Sequence, residues 1–301
     1  MPNSPTPNTA QSTNPRPIQF QSKKTTYIVA AIGFMAIAAA IYFLFIFQRG
    51  EEGISMKSQQ GEQKEVHQIA IADRPFVTLT PTSDGAEIII SIENMGKFDA
   101  IEYELTYLAD NPQSLGTKIT RGATGTDVNT RAAKYKKSVL LGTASRGVRS
   151  PDTGITDGQL IMHMFIGEDE FLSETGWTFE KIGSQASTIK SVNGNFEIEV
   201  PSFGRDYWVI IADTVGVPPN PTEFTPEEII LPVYGTFSIA PTFKGTGTIT
   251  IKVENQTTPK LFAYNHTDSA FSDVESVWGA DTSTLTADVS NFATFVVVSQ
   301  E

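Results

Sequence analysis

The chain has 301 residues, 40% of them hydrophobic and 10% aromatic, a net charge of −12 and no cysteine. That apolar content fills packed cores and excludes a chain disordered throughout. The lack of cysteine excludes a disulfide scaffold and a thiolate metal site, and the acidic balance argues against a general affinity for polyanions, nucleic acid included.

Residues 1–24 are rich in Pro, Asn, Ser and Thr, the composition of a disordered tail. Tyr27 to Phe47 follows, 21 residues without a charge and rich in Ile, Ala, Phe and Val. At about 1.5 Å per residue, a helix of that length spans about 30 Å, the hydrocarbon thickness of a bilayer. Backbone groups in lipid must bond within their own segment, so the pattern predicts one N-terminal transmembrane α-helix over 25–48, with 27–47 against lipid. A cleaved signal peptide is the rival reading, because Ala36, Ala38, Ala39 and Ala40 offer small residues to a peptidase. Ile41–Phe47 carries the apolar run past such a cut. Arg16, Lys23 and Lys24 precede the helix, whereas Arg49 and Lys57 follow it close to Glu51 and Glu52. That bias predicts a cytoplasmic N-terminus and an extracytoplasmic remainder at the cell membrane. Residues 49–65, polar with Gly50, Gly53 and Gly61, read as a flexible spacer.

From Val66 onward, period-two alternation dominates. In Ile101–Tyr107 the odd positions are apolar and Glu102, Glu104 and Thr106 face the other way. Strands are expected at Phe76–Thr80, Glu87–Glu93, Ile101–Tyr107, Ser138–Leu141, Gln159–Ile166 and Trp177–Lys181. A second set is expected at Phe196–Val200, Tyr207–Ala212, Tyr234–Ile239, Gly247–Val253, Leu261–Tyr264, Thr284–Val289 and Phe292–Val298. Val217–Glu228 holds four prolines and cannot be a central strand; a helical turn at Pro226–Ile229, capped by Thr225, is expected at its end. The polar stretch Gly183–Gly194 is the expected boundary. The fold class is therefore an all-β ectodomain of two tandem sandwiches, 66–185 and 186–301, behind one transmembrane helix.

Residues 74–107 (R-P-F-V-T-L-T-P…G-A-E-I-I-I-S-I-E-N…I-E-Y-E-L-T-Y) resemble the opening strands of a fibronectin type III-like, immunoglobulin-like sandwich. The arrangement of 66–183 is similar to anchored β-domains of surface proteins from small, uncultured bacterial lineages. Residues 234–298 (Y-G-T-F-S-I-A-P…F-K-G-T-G-T-I-T-I…T-L-T-A-D-V-S-N-F-A-T-F-V-V-V) resemble a ZU5/GAIN-type β-sandwich. Self-cleaving members of that group carry His-(Leu/Phe)-(Ser/Thr) before the last strand. The matching positions are Asn291, Phe292 and Ala293, which supply neither base nor nucleophile, and Thr294 falls on the opposite face. The resemblance thus implies a chain that does not cut itself.

Other motifs point to little chemistry. Asp152-Thr153-Gly154 matches the aspartic-protease tripeptide but has no second copy, and reads as a turn. His67, His163 and His266 lack neighbours at metal-ligand spacing. The acidic loops at Glu168–Glu170 and Asp268–Asp281 fit no calcium-loop spacing. No catalytic residue, metal or cofactor is expected. The outstanding local feature is charge: 116–150 holds Lys118, Arg121, Arg131, Lys134, Lys136, Lys137, Arg146 and Arg149 against Asp127 alone. Its Gly-rich flanks look loop-like. One reading is a patch for an anionic envelope polymer or lipid head groups; the other is lysines guarding an exposed sheet edge. These features together imply a non-enzymatic binding or structural module of the cell envelope, with the bilayer and an anionic polymer or a protein as partners. An accessory subunit of an envelope or secretion complex is the first alternative and a surface hydrolase the second.

Overall fold

The computed structural model describes residues 66–299 except 214–215, 220, 241 and 255–257, and for 66–68 and Leu231 the backbone alone. The expected tail, transmembrane helix and spacer lie outside the described residues. Among the described residues no helix is long and apolar enough to cross a membrane.

These residues are all-β. The first half carries β1 (Val66–Gln68), β2 (Phe76–Pro81), β3 (Glu87–Glu93), β4 (Ala100–Asp110), β5 (Lys118–Gly125), β6 (Lys134–Leu140), β7 (Gly142–Ser145), β8 (Val148–Pro151), β9 (Thr156–Ile166) and β10 (Asp169–Ile182). The second carries β11 (Ser187–Lys190), β12 (Phe196–Val200), β13 (Tyr207–Ala212), β14 (Ile229–Ser238), β15 (Gly247–Lys252), β16 (Pro259–Asn265), β17 (Ala270–Val274), β18 (Ser276–Gly279), β19 (Thr284–Val289) and β20 (Thr294–Ser299). A ten-stranded sheet runs β17-β16-β20-β14-β13-β10-β9-β4-β5, with β1 parallel to the start of β10. The others are a five-stranded sheet, β11-β12-β15-β19-β18, a three-stranded sheet, β2-β3-β6, and the hairpin β7-β8.

Strand β10 joins the halves. Its Asp169–Trp177 part pairs with β9, and Trp177–Ile182 pairs with β13. Beyond it, both faces of the large sheet are covered. Successive side chains therefore enter different cores, as the pleat requires. Ile210, Val233, Phe262 and Val296 pack in the core beneath the three-stranded sheet. Their neighbours Ile211, Tyr234, Leu261 and Phe295 pack in the core beneath the five-stranded sheet. Double-sided burial is why Tyr207–Ala212 reads as a continuous apolar run, while β4, open to solvent on one face, alternates strictly.

The described residues form two cores, and their division does not fall at 185/186. Ten of the 33 residues of the first core lie beyond position 186, so that core needs both halves of the chain. The cores are parted by the two faces of a shared sheet. The reason is that β10 continues its pairing past the end of β9, and no proline interrupts it.

Alternation or an unbroken apolar run locates Glu87–Glu93, Phe196–Val200, Tyr207–Ala212 and Thr284–Val289 to the residue. Strands without an apolar period, β5, β7, β8, β11, β17 and β18, are sheet margins or the isolated hairpin. Such strands face solvent and need no core-facing stripe. Residues 116–150, loop-like by composition, thus hold four strands. The turn at Pro226–Glu228 forms as expected, and the Glu228 carboxylate accepts the Thr225 N–H at 2.5 Å.

Candidate functional site

The three-stranded sheet buries Val77, Leu79, Ile90, Ile92 and Tyr135 and turns the alternate residues outward. Register sets these outward residues in cross-strand rows: Phe76–Glu93–Lys134, then Thr78–Ser91–Lys136. Directly opposed side chains lie about 5 Å apart and act as one surface. This surface floors an open groove of about 720 Å³. The opposing wall comes from the end of β14, the turn after β16 and the segment entering β20, including Ser238, Ile239, His266 and Phe292. Its size lies in the range of about 300–1,000 Å³ common for small-molecule sites.

Polar groups dominate the floor. Lys134 pairs with Glu93 at 2.7 Å. Lys136 is exposed and has no ion-pair partner among the described residues. Ser91 is 4% exposed, and its hydroxyl has no hydrogen-bond partner. A buried hydroxyl left unpaired costs about 1–3 kcal/mol, so Ser91 calls for an explanation.

His266 closes the inner end. Its ring stacks on Phe76 (centroids 6.2 Å, 10°), with Tyr264 and Phe237 at 5.7 and 5.2 Å. Nε2 lies 3.3 Å from the Thr294 hydroxyl. Burial, with a smaller push from Lys134, lowers its pKa from 6.5 to about 4. Above pH 6.5 the ring is neutral folded or unfolded and contributes no pH dependence. Between 6.5 and 4 only the unfolded chain takes up the proton, so stability falls with falling pH by about 1.4 kcal/mol per unit. Carboxylates held low, such as Asp127 beside Lys137, lose stability in the same direction. The variant His266→Gln isolates the histidine: urea unfolding at pH 7 and 4.5 should show a fall smaller than wild type's by about 2 kcal/mol. Equal falls in the two proteins would refute the assignment.

The structure distributes the eight basic residues over both sheet margins and the hairpin. Lys118 pairs with Asp110 at 2.9 Å, Arg121 with Asp152 at 3.4 Å and Lys137 with Asp127 at 2.9 Å. Arg149 reaches Glu87 at 2.6 Å and Asp84 at 3.6 Å. With Lys134, five of the eight are paired, mostly to acids outside 116–150. Arg131 is exposed before β6, and Arg146 stands at the hairpin turn with φ +50°. Lys134 and Lys136 alone floor the groove. Tyr135, between them in sequence, packs its ring into the core, and its hydroxyl donates to the exposed Asp127 at 2.8 Å.

Asn291 and Phe292 line the groove, and Ala293 is buried in the second core. Thr294 occupies the face opposite Ala293, and that face is the one His266 approaches. The Ala293 carbonyl accepts the Thr236 N–H and hydroxyl, each at 2.9 Å. Asp152 accepts the Tyr107 hydroxyl at 2.9 Å, a structural use of the Asp-Thr-Gly tripeptide. His163 Nδ1 meets Glu170 at 2.8 Å. Among the described residues no cluster of His, Asp and Glu could hold a metal ion. Sequence reasoning missed Thr78, Ser91 and His266 as groove residues. They come from distant segments that only the sheet packing unites, and no motif marks them.

No protein-family model matches the chain, and no curated protein matches it. Fold and groove define the class: an all-β, sandwich-like protein with an open, polar surface cavity.

Proposed function

We propose that the protein is a membrane-anchored, extracytoplasmic, non-enzymatic binding module of the cell envelope, and that the groove over β2-β3-β6 is its binding surface. The observation that carries the binding role is the groove itself, a ligand-sized cavity whose floor is set by strand register. Rigid elements hold such groups in place better than loops do. The tether rests on the 21 uncharged residues of Tyr27–Phe47. Resemblance of the two halves to fibronectin type III-like and ZU5/GAIN-type sandwiches supports a display role, since such domains lift a surface away from the bilayer.

The test uses the full chain. After an alkaline wash it should remain with membranes, and protease added to intact cells should reach residues beyond 66. The detergent-solubilised chain should be retained on immobilised envelope material. Thr78→Trp, which fills the groove from a half-exposed position, should abolish retention while leaving the unfolding transition in place. Recovery in the washed soluble fraction ends the tether. Lack of retention, or equal retention of Thr78→Trp, ends the binding role. Intact mass on the same preparation should show one species; fragments parting at Ala293–Thr294 would instead make His266 and Thr294 catalytic.

A further inference from the structure

Resting on the reading of the groove as a binding surface, the geometry points to its ligand class: we propose a carboxylate-bearing sugar unit of an envelope glycan. Three features select it. The first is charge. The Lys134–Glu93 pair is internally neutral, which leaves Lys136 as the uncompensated cation of the floor among the described residues. One cation matches a monoanion; a phosphate monoester would bring a second negative charge towards Glu93 with nothing to meet it. The second is hydroxyl chemistry. Thr78, Thr80 and Ser91 stand on adjacent outward positions of β2 and β3, and the unpartnered Ser91 hydroxyl is the buried polar group that a sugar oxygen would satisfy. Hydroxyls both donate and accept, as the ring hydroxyls of a saccharide require. The third is an apolar rim. Ile239 is 43% exposed, and Ile89 and Phe292 are half-buried beside the cavity. They offer the flat carbon surface against which the C–H face of a pyranose packs. In this arrangement Lys136 takes the carboxylate, Thr78 and Ser91 take neighbouring hydroxyls, and Phe292 covers the ring.

Calorimetry on the full chain in detergent micelles tests it with three probes: the monosaccharide galacturonate, its methyl ester and glucose 6-phosphate. Galacturonate should bind at least about tenfold more tightly than the ester, which keeps every ring hydroxyl and loses only the charge. Its affinity should fall as salt rises. Lys136→Gln should remove that tenfold preference for the acid and leave the ester's affinity unchanged. Ser91→Ala should weaken both sugars about equally. Lys190→Gln, on the five-stranded sheet and away from the groove, should bind as wild type. Equal binding of acid and ester, tighter binding of the phosphate, or full acid preference in Lys136→Gln would each overturn the assignment. If the chain is retained on envelope material, and Thr78→Trp is not, while acid and ester bind alike, the ligand class falls and the binding role stands. If wild type shows no retention and no sugar binds, the binding role falls with it.

Discussion

A fragment ending at residue 185 is expected not to fold. It contains every strand assigned to the first sandwich by sequence, yet its core would lack Ile210, Val217, Phe224, Val233, Phe237, Phe262, Tyr264, Val296 and Val298, all of them in the first core of the whole chain. Burying a large apolar side chain contributes about 1.5–3 kcal/mol. Nine such losses sum to on the order of 15 kcal/mol, as much as the whole net stability of about 5–15 kcal/mol typical of a domain. The fragment would also expose the edge of β10 from Trp177 to Ile182, which β13 covers in the intact chain, an invitation to aggregate. Circular dichroism and proteolysis of residues 66–185 should report an unfolded or aggregated chain. For the same reason residues 66–301 should melt in one transition under all probes. A soluble 66–185 fragment with a cooperative transition of its own would show that the halves are independent, and the shared-core account would fail.

Replacing Trp177 by Ala should lower stability by about 3–5 kcal/mol, the cost of deleting a large buried aromatic. For 150–250 residues each kcal/mol is worth about 2–4 °C, so Tm should drop by about 10 °C. Trp177 is fully buried where β10 passes from one partner to the next, with Gly158 opposite on β9 and Ala212 opposite on β13. The indole lies across Gly158 and meets Tyr107 at 6.1 Å. Gly158 is required by that approach: a Cβ there would lie 2.2 Å from the indole Cδ2. Gly158→Ala alone should therefore cost about 1–3 kcal/mol through overpacking. In the Trp177→Ala background the added methyl meets a cavity instead of a ring, so its cost should vanish. Such coupling is the signature of direct contact; additive effects would refute the packing described. The indole N–H has no partner, so Trp177→Phe, which removes an unsatisfied donor, should be the milder change.

The groove was legible only in parts. Composition flagged 116–150 as basic, and Lys134 and Lys136 of that set do floor the cavity. The other six lie along β5, the segment before β6, β6 itself and the hairpin; four of them are engaged by acids, and for Arg121 and Arg149 the acid is distant in sequence. Charge counted along a chain does not record which acids tertiary packing brings alongside. His266 illustrates the reverse. It looks inert by spacing, but the turn after β16 places it against Phe76 and Thr294.

Sequence alone determines that this protein is built of strands, and where the buried ones lie, because a side chain's face alternates with every residue and water sorts the faces locally. It also determines the 21-residue stretch on which the membrane reading rests, since length and lack of charge are properties of the segment itself. Tertiary structure decided the rest. Whether Tyr207–Ala212 is apolar because it serves one core or two depends on what covers its second face. Whether Gly183–Gly194 divides the molecule depends on the partner β10 meets after β9 ends. Both are long-range pairings, and a pleat of period two carries no information about which strand will be its neighbour.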